Sequence, residues 1–198
     1  MPNVGFVKRR YDNVAASLHW VIAIALIFQI CLGLYMGTFP RGDATGFALV
    51  QLHKSVGLTI LVLSLARLGW RLANPVPPLP ASMSAPLRWL AHTSHFLLYF
   101  LIIALPLSGW AMMSASPRGA PISYFGLFDW PRIWFLADLA PADKRPAAHM
   151  FGEYHEWLAY TAIVLIIIHV TAALVHQFAW KDSVFRRIIP GARLPSDA

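Results

Sequence analysis

The hydrophobic positions gather into four long runs, separated by shorter stretches where polar residues, Pro and Gly concentrate. Residues 14–36, 47–70, 87–113 and 151–180 are each dominated by Leu, Ile, Val, Phe, Ala and Trp. A helix of about 20 apolar residues crosses a bilayer, so the pattern predicts four transmembrane helices. No internal repeat divides the chain, and residues 1–198 read as one domain. The expected fold class is an all-α, integral membrane four-helix bundle.

The connections differ in character. NPVPPLPASMSAP, residues 74–86, is a stiff proline-rich link that cannot continue a helix. The connection around TFPRGDATG is short, whereas the one from Ser114 to Met150 is long and carries SYFGLFDWPRIWFLADL. That aromatic density fits a segment lying in the headgroup layer, with Trp130 and Trp134 as anchors, but the reading with more weight is a lid that covers the helix ends. Pro106 is expected to kink the third span. Lys8, Arg9 and Arg10 lead into a run too long for a signal-peptide core and without a small-residue cleavage pattern, so the first span is expected to be retained.

Composition strengthens the membrane reading: 58% of residues are hydrophobic and 13% charged, and mean hydropathy is +0.56. Charge adds an orientation. With alternating spans, ten basic residues fall on one side (Lys8, Arg9, Arg10, Arg67, Arg71, Arg88, Lys181, Arg186, Arg187, Arg193) against three acidic ones. The other side holds six basic residues (Arg41, Lys54, Arg118, Arg132, Lys144, Arg145) and six acidic ones. The positive-inside rule then places both termini in the cytoplasm of a bacterial cell, with the chain in the inner membrane. The basic pI is accounted for by topology and contact with anionic membrane lipid, so no nucleic-acid partner is called for. Cys31 is the single cysteine, which excludes an internal disulfide, a cysteine-ligated iron–sulfur cluster and a covalent haem-attachment motif.

Within the last run, HEWLAYTAIVLIIIHVTAALVHQ carries three histidines, at 155, 169 and 176. Fourteen residues of α-helix turn about 1400°, close to four whole turns, and rise ~21 Å. His155 and His169 therefore share a face at two depths, and His176 continues the seam ~10 Å further. Ionisable groups inside a membrane are costly and face a bundle interior or a cofactor. His19 near the inner end of the first span and His53 near the outer end of the second complete the pattern. The expected pairs are His53 with His155 and His19 with His169, stacked ~20 Å apart as two non-covalent b-type haems require, each iron held by two histidines. His92 and His95 compete at the inner end, where spacing alone does not choose between His19 and His95. His149 reads as a solvated loop residue. Zinc fits poorly, because His155 and His169 are too far apart for one ion and no carboxylate or thiolate converges with the deep histidine.

SLHWVIAIAL, LVQLHKSVGLTILVLSLARLGWRL, LAHTSHFLLYFLIIALPLSGW and EYHEWLAYTAIVLIIIHVTAALVHQFAWKD together resemble the four helices of the bacterial cytochrome b561 family across nearly the whole chain. The resemblance implies His19, His53, His155 and His169 as the haem ligands, with His92 and His95 outside the iron coordination. Within the family the chain most resembles members that oxidise superoxide and reduce ubiquinone.

The remaining candidates sit at the two ends. Arg67 and Arg71 are placed to pair with propionates of the inner haem, although a snorkelling anchor accounts equally well for Arg71. Lys54 adjoins an outer ligand and suits the outer haem. His176 and Lys181, with Trp180 against the ring, are candidates for a quinone site, since histidine carries protons near neutral pH. The same residues also suit an ordinary interfacial Trp–Lys closure of a span. For superoxide, Lys54, Arg41, Arg118 and Arg132 are candidate steering cations.

Two histidines per iron fill both axial positions, so such a protein passes electrons through haem edges. It would join a one-electron donor outside to a two-electron, two-proton acceptor in the bilayer. The expected activity is superoxide:ubiquinone oxidoreductase. The competing readings are a cytochrome subunit relaying electrons from a dehydrogenase or hydrogenase partner to quinone, and a haem-free polar path for protons or ions.

Overall fold

The computed structural model describes residues 10–40, 42–80, 83–119 and 121–191. Four long helices carry the chain back and forth: α1 (Asn13–Met36), α2 (Ala44–Ala73), α3 (Ala85–Ala115) and α5 (Pro141–Leu174). Between α3 and α5 lie a two-stranded hairpin, β1 (Ile122–Tyr124) and β2 (Phe128–Trp130), and a single turn, α4 (Trp134–Ala137). Each long helix is apolar enough to cross a membrane. Many large apolar side chains face outward, among them Ile24, Phe96, Trp157 and Ile167, as expected where lipid is the solvent.

Local chemistry sets the ends. The carboxylate of Asp12 accepts from Ala15 N–H at 2.8 Å, and that of Asp43 accepts from Gly46 N–H at 2.8 Å, capping α1 and α2. Asn74 is extended ahead of Pro75 and stops α2. Pro141 opens α5 at a position where no N–H is needed.

The last helix begins about ten residues before the expected span. PADKRPAAHM is polar and contains Pro146, so hydropathy registers only the part of the helix that lipid surrounds. His149 is consequently a helical residue and not a loop residue, although it is solvated: its side chain is 74% exposed, with Nδ1 3.6 Å from Glu153 Oε2. Pro106 lies inside the unbroken α3.

Tyr11 N–H donates to Arg187 O at 3.1 Å, Trp20 Nε1–H donates to Ile188 O at 3.0 Å, and Arg187 donates to Pro78 O at 2.5 Å. The start of the described chain, the proline-rich link and the segment after α5 therefore meet at one end of the bundle, here the terminal end.

At the opposite, loop end, the hairpin pairs Ile122 with Trp130 and Tyr124 with Phe128. Its turn is closed by Leu127 N–H donating to Tyr124 O at 2.9 Å, with Phe125 and Gly126 at φ 50° and 73°. A phenylalanine at positive φ is unfavourable, and Ser55 of α2 holds it there. The Ser55 hydroxyl accepts from Phe125 N–H at 2.9 Å and lies 3.2 Å from Ser123 O. One turn on, Thr59 Oγ1 and Tyr124 Oη are 2.9 Å apart. The hairpin thus covers the loop end as a lid fastened to α2. Of its two expected interfacial anchors, Trp134 is 75% exposed. Trp130 instead packs against Trp110, Tyr124 and Phe128.

Candidate functional site

The loop-end site is built from all four long helices. His53 of α2 and His155 of α5 face each other with ring centres 6.1 Å apart and planes at 79°. A cavity of about 540 Å³ adjoins them, walled in part by Gly33 of α1, Gly57 and Lys54 of α2, and Gly109 and Trp110 of α3. The glycines hold that space open. A Cβ at Gly33 would lie 3.1 Å from His53 Cε1, one at Gly109 would lie 3.2 Å from His155 Cε1, and one at Gly57 would lie 3.1 Å from Gln29 Nε2. Gln29 Nε2–H donates to His53 O at 2.7 Å and ties α1 to α2 beside the ring.

His155 is oriented by α3. Its Nδ1 lies 3.0 Å from Leu105 O and 3.0 Å from Ser108 Oγ, while the Ser108 hydroxyl donates to Leu105 O at 2.7 Å. A carbonyl only accepts, so the ring proton belongs on Nδ1 and the Nε2 lone pair is left free. His53 Nδ1 is buried and has no partner among the described residues.

The terminal-end site gathers three imidazoles. His19 of α1 lies 6.4 Å from His169 of α5, and His95 of α3 lies 5.5 Å from His169, ring centre to ring centre. His92, one turn before His95, is exposed. Arg67 donates to Ala15 O at 2.7 Å, which draws it against α1 one turn before His19. Arg67 and Arg71 both lie over the Tyr99 ring, at 5.5 and 5.2 Å. Arg71 is half-buried there.

The two sites are fourteen residues apart on α5, about 21 Å along its axis. Their imidazole separations suit an iron held between two rings, and at the loop end the adjoining cavity adds room for a porphyrin. Metal–nitrogen bonds of about 2 Å, with about 1.1 Å from nitrogen to ring centre on each side, put two axial imidazoles about 6 Å apart between centres. The observed 6.1 and 6.4 Å match this.

The third expected cluster also assembles. His176 lies in a π turn, Val175–Ala179, that ends the last helix, and its ring meets Trp180 edge-on at 4.6 Å. Lys181 follows at φ 53°. Asp182, counted from the sequence only as a charge, bonds His176 through Oδ2 at 2.5 Å. Among the expected steering cations, Arg132 is bonded to Ser114 O at 2.5 Å and Ser116 O at 3.2 Å, and Arg118 is exposed. Arg41, like Lys8, Arg9 and Arg193, lies outside the described residues.

Fold and site together define a multi-pass membrane protein whose helices hold paired histidines at two depths. The family model for prokaryotic cytochrome b561 matches residues 10–191. Cytochrome b561 homolog 2 of Escherichia coli K12 is 37% identical over 181 residues, covering 91% of each chain. Probable superoxide oxidase CybB of Yersinia pestis is 31% identical over 187 residues, 94% of this chain and 99% of that protein. Cytochrome b562 of Cereibacter sphaeroides is 26% identical over 184 residues. The chain belongs to the prokaryotic cytochrome b561 family. It is a membrane electron-transfer protein of a family that binds haem b.

Proposed function

We propose that the protein is a dihaem superoxide:ubiquinone oxidoreductase of the bacterial inner membrane, with both termini cytoplasmic. His53 and His155 would hold the outer haem, and His19 and His169 the inner one. The observation that carries this reading is the pair of imidazole separations, 6.1 and 6.4 Å, about four helical turns apart on α5. Resemblance to a relative named as a probable superoxide oxidase supports the donor. The surplus of basic residues at the terminal end supports the orientation.

Haem held by these histidine pairs would supply one-electron transfer. The protein's own residues do the rest. Gly33, Gly57 and Gly109 keep the loop-end space clear, and Leu105 O with Ser108 fixes the His155 ring. Arg67 and Arg71 supply cations for the inner propionates, and Lys54 does so on the cavity wall at the outer end. Two superoxide anions each surrender one electron and leave as O₂, and ubiquinone takes up two electrons and two protons at the terminal end. His176, Trp180 and Lys181 form the quinone site. Trp180 offers a ring face beside the imidazole, and His176 handles protons.

Purified protein given superoxide and ubiquinone should form ubiquinol with no partner protein present. Inert protein that becomes active only with a dehydrogenase or hydrogenase would overturn this and make the chain a relay subunit.

A further inference from the structure

Where the last helix stops, the structure pairs His176 with the carboxylate of Asp182, a residue to which the proposed quinone site gives no role. The π turn and the positive φ of Lys181 reverse the chain, so that Asp182 comes back to His176. Asp182 N–H donates to His176 O at 3.1 Å, and His176 Nδ1–H donates to Asp182 Oδ2 at 2.5 Å. The other carboxylate oxygen, Oδ1, accepts from Val184 N–H at 2.9 Å. The His176 side chain is 14% exposed and that of Asp182 is 31% exposed.

The geometry decides which ring nitrogen is available. A carboxylate only accepts, so the proton of the neutral ring sits on Nδ1 and Nε2 keeps its lone pair. Val184 grips the carboxylate from its other oxygen, so the group cannot turn away without losing a second bond.

We propose that Asp182 is a positioning residue for quinone reduction. It holds His176 so that Nε2 takes a proton from water at the terminal end and passes it to a carbonyl oxygen of a quinone lying against Trp180. The proposal rests on the quinone-site reading above. The quinone gains two electrons originating from superoxide, and its two oxygens gain two protons. For each, the Nε2–H bond breaks as the O–H bond forms, the ring returns to its neutral form with Nδ1–H on Asp182, and water restores the Nε2 proton.

The test is Asp182→Asn in the full-length, haem-loaded protein in lipid nanodiscs. Val184 N–H still requires an oxygen, so the new amide presents its NH₂ to His176 Nδ1 and the ring proton moves to Nε2. Nitrogen-15 NMR of His176 should show that exchange. Ubiquinone reduction by superoxide should fall about tenfold or more, while superoxide reduces the haems at the native rate when quinone is left out. An unchanged tautomer would overturn the proposal. So would native quinone turnover in Asp182→Asn when His176→Ala is slow, an outcome that leaves the quinone site standing. Native turnover in both variants would overturn the proposal and the quinone site together.

Discussion

At Gly109 and Gly33 an added methyl group would press on the two loop-end histidines, 3.2 Å from His155 Cε1 and 3.1 Å from His53 Cε1. Both separations are tighter than ordinary contact, and the obstructing groups are the rings proposed to face the iron. Gly109→Val, with its stiff branched side chain, should therefore lower bound haem from two to about one per chain. The haem retained would be the one held by His19 and His169. Haem content of purified, monodisperse variant measures this, and a variant that keeps both haems would count against the cavity as a porphyrin site. The histidines themselves were legible in the sequence, because an imidazole in an apolar run is costly enough to demand a reason. The glycines were not, since the space each one guards is defined by a side chain from another helix. Asp182 was hidden for a similar cause: its partner is reached only after a π turn and a left-handed residue reverse the chain.

Among the elements, the four spans stood out from hydropathy, and their alternation gave the up-and-down bundle. The long aromatic connection was legible as a lid but not as a hairpin. Its strands are only three residues each, and the turn places Phe125 at a φ that its side chain disfavours. What makes it fold is Ser55, 70 residues earlier in sequence, whose fully buried hydroxyl meets Phe125 N–H. Ser55→Ala strands that donor, a loss of about 1–3 kcal/mol. Thermal unfolding of the variant should begin at a lower temperature, with earlier proteolysis in the 122–130 loop. Native thermal and proteolytic behaviour would show that the hairpin is held by its aromatic contacts alone. The early start of α5 escaped hydropathy because the helix continues past the part that lipid surrounds.

Across the whole molecule, one helix supplies a proposed ligand to each haem, and α1 and α2 supply one apiece. This division makes the arrangement testable in separate halves. His155 and His53 serve the loop end, and His169 and His19 serve the terminal end, with His95 close enough to His169 to compete. The shared helix also fixes the spacing at about four turns, ~21 Å, so that two haems bound there would hold one electron each. Such a spacing suits a converter between a one-electron donor and a two-electron acceptor. It rests on the chain carrying two haems and not one. The most direct measurement is the haem-to-protein ratio of purified protein, taken with its reduced-minus-oxidised absorption spectrum and repeated for His169→Ala and His95→Ala. Two haems are expected in the native chain, one in His169→Ala and two in His95→Ala. A single haem in the native chain, or two remaining after His169→Ala, would contradict the account.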